Sequence, residues 1–255
     1  MRIALFLVAL LTAPSHAEKG KPAKAETAVS SPTASVSIPA AAAVSASSFT
    51  WTSTAPLTLD AVLAQFERFD RELDSLTARF TQSLSADETG VSSSLEGSVS
   101  YLKPDRLRIE YLRPERQTVV SDGKDIYIHR HANAQVIQSK LEDWKQSDPL
   151  VGNLMQFGSY AKMLRSYDVS LDTGGASPSL RLLPKDRSAG FELRFELQAA
   201  DLFPAKTELQ VRNTRVRTDL DAVCFNPALR AKDFDFTPPA GAEIFRDFKP
   251  PRFQP

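Results

Sequence analysis

Residues 95–131, LEGSVSYLKPDRLRIEYLRPERQTVVSDGKDIYIHRH, read as four short strands in succession, each alternating apolar and polar residues. Leu95, Val99 and Tyr101 share one parity, with Gly97 between them. Leu107, Ile109 and Tyr111 share another, with Arg106, Arg108 and Glu110 on the opposite side. Successive side chains of a strand point to opposite faces, so the pattern makes a sheet with one apolar and one charged face. The breaks are chemical as well. Lys103-Pro104-Asp105 and Arg113-Pro114-Glu115 are proline turns, and Asp122-Gly123 suits a two-residue type I′ hairpin. A meander of this kind must place its apolar face against something, and what covers that face decides the function.

Working outward, Leu59, Val62, Leu63, Phe66, Phe69, Leu73 and Leu76 recur at helical spacing and predict an amphipathic helix from 58 to about 75. Thr58 is placed to cap it, and Asp60 sits where the helix dipole favours an anion. Leu76, Ala78, Phe80 and, past Gln82, Leu84 then alternate as a strand, followed by a polar loop at 87–93 around Gly90. Beyond His131, a turn at Asn133 leads to the strand AQVIQSK. Asp148-Pro149 opens a second helix whose apolar side is Leu150, Val151, Leu154, Met155 and Phe157, ended by Gly158. A short helical piece, Tyr160 to Arg165, follows. The strands YDVSL, SLRLL, GFELRFEL, KTELQVR and VRTDLDAVCF complete the domain, before a tail in which Phe234 and Phe236 alternate ahead of a double-proline stop. About eleven strands with segregated helices indicate an α+β domain with a strongly curved antiparallel sheet.

The first 56 residues are unlike the rest. Met1-Arg2, the apolar run IALFLVALL and Ser15-His16-Ala17 have the form of a signal peptide cut after Ala17. Glu18 follows the cut, where cysteine would have implied a lipid anchor, so an exported, soluble mature chain is expected. Residues 18–56 are mostly Ala, Ser, Thr, Pro and Lys, with almost no large apolar residue before Phe49 and Trp51, and read as a disordered tether. Residues 57–255 remain for one domain with a substantial core. Loss of the signal removes Arg2 and no acid, leaving 30 basic against 31 acidic residues, a balance that argues against nucleic acid as a partner. The lone cysteine, Cys224, excludes an intramolecular disulfide framework and reads as inert packing between Val223 and Phe225.

Chemistry has little foothold. His129 and His131 lie two apart and share a strand face, but no third metal ligand of suitable spacing stands nearby. There is no G-x-S-x-G elbow, no phosphate-cradling glycine loop and no HExxH, so nothing asks for an enzyme, a metal or a cofactor. Periodicity alone fits a plain packed core. Against that stand the large adaptable groups of the inward parity and Met155 beside Leu154 and Phe157, a composition that suits variable apolar ligands.

Phe80-Thr81-Gln82, then Gly97 to Pro104 (GSVSYLKP), then Val120 to Lys124 (VSDGK), in this order, resemble the periplasmic outer-membrane lipoprotein carriers, the LolA family. The end of the domain, DFDFTPPAG from Asp233 to Gly241, resembles the family's closing F-x-F-x-P-P-x-G strand; the likeness covers roughly 75–245. The resemblance implies an unclosed barrel of about eleven strands whose concave apolar face lies under a helical lid, with lipoprotein acyl chains held between them. It implies lipid contacts from Phe80, Val99, Tyr101, Leu107, Ile109 and Tyr111 on the sheet and from Leu154, Met155 and Phe157 on the lid. It implies cargo received from an inner-membrane lipoprotein-releasing ABC transporter and handed to an outer-membrane receptor, without covalent chemistry or cofactor, and the chain is expected to act as a monomer. Lys103 stands where the family usually has an Arg that hydrogen-bonds to the lid, and a lysine makes a point contact where Arg has a planar fork. Leu107 and Ile109 match positions that tend to be Phe and Trp. The alternative is a lipid-binding or lipid-sensing half-barrel module with no handover role.

Overall fold

The computed structural model describes residues 49–52, 55–86, 90–147 and 159–246. The expected signal peptide (1–17), most of the expected tether, and the expected second helix with Leu154, Met155 and Phe157 therefore lie outside the described residues.

Helix α1, Leu59–Glu72, begins as its residues dictate: the Thr58 hydroxyl accepts from the Ala61 N–H at 3.3 Å and Asp60 occupies the first turn. It is shorter than the periodicity predicts. Leu73 is already extended, its N–H satisfying the Phe69 carbonyl at 2.9 Å, and Leu76 belongs to the next strand. From there the chain builds β1 (Ser75–Ala86), β2 (Val91–Leu102), β3 (Arg106–Arg113), β4 (Gln117–Asp122), β5 (Asp125–Arg130) and β6 (Gln135–Lys140), a continuous antiparallel meander. Strand β2 starts at Val91, inside the stretch read as loop. The β4–β5 hairpin turns on Gly123-Lys124. Gly123 alone has positive φ (+95°), the sign pattern of a type II′ turn and not the expected I′, and Asp122 Oδ1 accepts from the Lys124 and Asp125 amides at 2.8 Å each.

Helix α2, Leu141–Ser147, follows β6 directly and was not expected; it buries Leu141 and Trp144. Helix α3, Tyr160–Leu164, is the short helical piece expected there. A second antiparallel meander follows: β7 (Tyr167–Asp172), β8 (Ser179–Pro184), β9 (Phe191–Glu196), β10 (Lys206–Val211) and β11 (Thr214–Phe225), the last returning to pair with β1. A three-residue strand β12, Glu243–Phe245, adds to β6 in parallel. The twelve strands form one sheet in the order β12-β6-β5-β4-β3-β2-β1-β11-β10-β9-β8-β7, whose ends are not paired with each other among the described residues. The barrel is unclosed. Bulges in the β1–β11 and β2–β3 pairings bend its middle strands. Gly97 allows the closest approach: a Cβ there would run into the Glu110 carbonyl oxygen and meet the Phe80 ring at 2.6 Å.

Two expectations are corrected by what covers the sheet. Phe234 and Phe236 do not form a closing strand. Residues 231–234 make a 3-10 turn that lies on the outer face, where Phe234 is buried, the Asp233 carbonyl accepts from Arg108 Nε at 3.3 Å and Phe236 stacks 5.3 Å from Tyr127. This explains why β4 is buried on both faces, Val119 inside and Val120 outside. At the other end, the stretch read as tether is packed where its aromatics begin. Phe49 is 2 % exposed against Phe69 and Phe225 (centroids 4.6 and 5.1 Å), and the Trp51 amide donates to the Ala200 carbonyl at 2.8 Å. Gln65 of α1 ties the two segments by donating to the carbonyls of Phe49 (3.2 Å) and Asp201 (2.9 Å).

Candidate functional site

Register places the inward side chains of β1–β5 in rows. One row is Leu76, Tyr101, Leu107, Ser121 and Ile126, the next Ala78, Val99, Ile109, Val119 and Ile128, the third Phe80, Gly97, Tyr111, Gln117 and Arg130. The six sheet residues singled out from sequence, Phe80, Val99, Tyr101, Leu107, Ile109 and Tyr111, thus share one face. None is more than 5 % exposed, and all belong to one continuous apolar cluster. Sequence reading missed the continuation of that face through Val119, Ile126 and Ile128, and its other half on β8 and β9, Leu182, Leu193 and Phe195. The parity that located Leu107, Ile109 and Tyr111 would have found them.

The helices close on this face. Phe66 and Phe69 of α1, Trp144 of α2, and Met163 and Leu164 of α3 are buried in the same cluster. Phe69 lies 5.7 Å from the Phe225 ring of β11, and Phe66 lies 5.3 Å from the Tyr160 ring that opens α3. Contacts of this kind are non-directional and remain exchangeable for any other apolar surface of suitable shape.

The polar joint between helices and sheet lies at the Lys103-Pro104-Asp105 turn. Lys103 Nζ donates to the Asp70 carbonyl of α1 at 2.7 Å, and Lys145 Nζ of α2 donates to Asp105 Oδ1 at 2.7 Å. Asp70 is the hub. While its carbonyl takes Lys103, its carboxylate accepts from the Tyr160 and Ala161 amides at 2.7 and 2.8 Å, satisfying the free donors at the start of α3. Burial nevertheless raises the Asp70 pKa, outweighing the two backbone hydrogen bonds and the nearby Lys103 charge. Tyr101 closes the turn from inside, donating to the Pro104 carbonyl at 3.2 Å; burial, aided by Asp105, Asp70 and Asp74, pushes its phenol far up and keeps the proton in place. Lys103 and Asp70 are 33 residues apart and Asp70 and Tyr160 are 90, so no local pattern announces the joint.

His129 and His131 do meet, with ring centroids 4.0 Å apart, but on the outer face. His129 is covered by Phe236 and His131 sits in a 3-10 turn, its Nε2 2.9 Å from the Thr118 hydroxyl that donates to Glu110. His131 has left the strand on which it was expected. Among the described residues no three His, Cys, Asp or Glu side chains come together to hold a metal ion.

Residues 71–237 match the family model described as outer membrane lipoprotein carrier protein LolA. The chain is 30 % identical over 189 residues to the outer-membrane lipoprotein carrier protein of Bordetella avium (strain 197N), covering 73 % of this chain and 88 % of that one. It is 28 % identical over 179 residues to the protein of the same name from Nitrosomonas europaea, covering 67 % and 82 %. A crystal structure of a LolA superfamily protein from Nitrosomonas europaea aligns over 71 % of this chain and 99 % of that one with a TM-score of 0.45 and 13 % identity. With a family model spanning most of the sheet, the chain belongs to the outer membrane lipoprotein carrier protein family, LolA.

Proposed function

We propose that this protein is a periplasmic carrier that binds the acyl chains of lipoproteins between the concave sheet face and its helices. In this reading it takes its cargo from an inner-membrane lipoprotein-releasing ABC transporter and gives it to an outer-membrane receptor. Residues 1–17 direct export, and the domain works as a monomer without cofactor or covalent step. The observation that carries the reading is the apolar face itself. Its middle row, Ala78, Val99, Ile109, Val119 and Ile128, has no polar side chain, and polar contacts such as Lys103 to Asp70 and Lys145 to Asp105 fix the helices over it.

The energetics suit a carrier. Each buried CH₂ of an acyl chain is worth about 0.8 kcal/mol, so a long chain outcompetes any single helix contact. The free protein must cover the same surface with its own helices or expose an aggregation-prone patch. Loading and closure therefore draw on one apolar area. Lys103 holds the closed arrangement through Asp70, and Phe80, Val99, Tyr101, Leu107, Ile109 and Tyr111 form the sheet side of the lipid site.

The test is release and transfer in vitro. Inner-membrane vesicles bearing the lipoprotein-releasing transporter and a labelled lipoprotein are incubated with the protein and ATP, and the soluble fraction is then presented to outer-membrane vesicles. Appearance of the label in solution and then in the acceptor is expected. Label that stays in the donor vesicles contradicts the reading; label held in solution but never passed on leaves a lipid-binding module without handover.

A further inference from the structure

Three buried polar atoms at one end of the concave face have no hydrogen-bond partner among the described residues: Tyr111 Oη, Gln117 Nε2 and Gln82 Oε1. Their residues are 1, 3 and 1 % exposed. Tyr111 and Gln117 are directly opposed across β3 and β4, and the Tyr111 ring stands edge-on to Phe80 at 5.7 Å. Gln82 lies one row further along β1, where its Nε2 donates to the Thr218 hydroxyl at 2.8 Å. A hydroxyl both accepts and donates, so whichever way this amide is turned one end of it remains over. The neighbouring rows toward the Lys103 turn behave differently. The middle row is apolar throughout, and the Ser121 hydroxyl of the next is satisfied by the Asp105 carbonyl at 2.9 Å. On the sheet, these three atoms fall in two adjacent rows at the end of the concave face away from the Lys103 turn.

Buried donors and acceptors are nearly always satisfied, and each left over costs stability that an apolar residue of the same shape would not. Burial pushes the Tyr111 phenol well above its usual range, so it stays a donor. With the Gln82 amide turned so that Nε2 meets the Thr218 hydroxyl, the set offers two donors, Tyr111 Oη and Gln117 Nε2, and one acceptor, Gln82 Oε1.

We infer that this row is a polar subsite for the head of the acyl cargo, where ester and amide carbonyls of an acylated cysteine accept from Tyr111 and Gln117 and its amide N–H donates to Gln82, with the chains running over the apolar rows toward Lys103. The inference rests on the carrier reading above and deepens it. An ester-linked diacylglycerol supplies the carbonyls, but only an N-acylated peptide supplies the adjacent amide N–H. In the orientation the structure shows, Gln82 Oε1 therefore favours the lipopeptide over a diacyl lipid whose head carries no hydrogen-bond donor.

The experiment uses the full-length protein and the variants Tyr111→Phe, Gln117→Met and Gln82→Met. Each is titrated with a synthetic triacylated cysteinyl hexapeptide, with dipalmitoyl phosphatidylcholine below its vesicle-forming concentration, and with an alkyl-pyrene probe that has no ester or amide. Tyr111→Phe and Gln117→Met each remove an unpaired buried group, so their melting temperatures should hold or rise, whereas Gln82→Met also loses the bond to the Thr218 hydroxyl and should melt somewhat lower. Tyr111→Phe and Gln117→Met are expected to weaken both ester ligands about fivefold each, Gln82→Met to weaken only the lipopeptide, and all to leave the alkyl probe unchanged. Equal lipopeptide affinity in all four proteins, or equal losses for the alkyl probe, overturns the subsite while leaving the carrier reading intact. Equal loss of both ester ligands in Gln82→Met overturns the assignment to lipopeptide. Failure of the unmodified protein to bind any of the three overturns the carrier reading itself.

Discussion

Replacing Lys103 by Leu removes one ammonium from the joint between sheet and helices, and the consequences can be sized. The lost contact is a 2.7 Å hydrogen bond from a charged donor to the Asp70 carbonyl. Such bonds are worth about 1.5–3 kcal/mol when sheltered; Lys103 is half-buried, so water competes and the lower end, about 1.5 kcal/mol, applies. That is about a tenfold change in the ratio of open to closed helices. A second effect has the same sign. The Lys103 charge is among the causes that hold the Asp70 carboxyl down, so its removal moves that carboxyl further up and weakens its hold on α3. Amide hydrogen exchange at Tyr160 and Ala161 reads the joint directly: about tenfold faster exchange is expected in Lys103→Leu and slower exchange in Lys103→Arg, whose fork can reach a second carbonyl. In transfer assays Lys103→Leu should load readily but hand its lipoprotein on more slowly, because the closed form that competes with cargo is weakened. Unchanged exchange at both amides, with unchanged transfer and melting temperature, would refute the reasoning and leave Lys103 a surface residue.

Other perturbations test neighbouring links. Because the folded Asp70 pKa is raised, its contribution is greatest when protonated and is lost as pH rises through the folded value; Asp70→Asn should flatten that acid-side slope in chemical-denaturation stability measured against pH. His129 and His131 are both held below the ordinary 6.5, first by burial, then by the His131 charge for His129 and by Arg116 for His131, with Glu110 opposing both. The fold prefers them neutral, so stability should fall as pH drops below about 6.5, and the double variant His129→Asn/His131→Asn should lose that limb. Gly97→Ala should cost about 2–4 kcal/mol, read as a lower urea midpoint at unchanged slope, because the new methyl meets the Phe80 ring and the Glu110 backbone. Ile109→Glu sets an unpaired carboxylate midway across the apolar face; co-purified lipoprotein should be lost at neutral pH and recover in acid, as the buried carboxyl takes up its proton.

Much of this architecture is written in short-range pattern. Alternation from Leu95 to Tyr111, the two proline turns and the capping Thr58 locate the meander and the first helix, because each depends on neighbours two to four residues away. Where the sequence misleads, a distant partner has taken over. Phe234 and Phe236 alternate like a strand, yet the outer face of β3–β5 needs a cover and the chain supplies it with a 3-10 turn. Helix α2 escapes notice because Leu141 and Trp144 are too few to set a period and follow a strand without a break. Phe49 and Trp51 stand out as large aromatics in an Ala/Ser tract, a signal that packing begins there, but composition alone favours a tether. The apolar face was legible as parity; the Asp70 hub was not, since it is assembled only when α1, α3 and the Lys103 turn converge.

The most direct test of the central claim is native mass spectrometry of the full-length chain, expressed with its natural N-terminus and purified from periplasm without detergent. A carrier should show a fraction bound one-to-one to lipoproteins, and collisional release should yield masses carrying the triacylated cysteine. Only bare protein, or a ladder of phospholipid adducts with no acylated polypeptide, would contradict it.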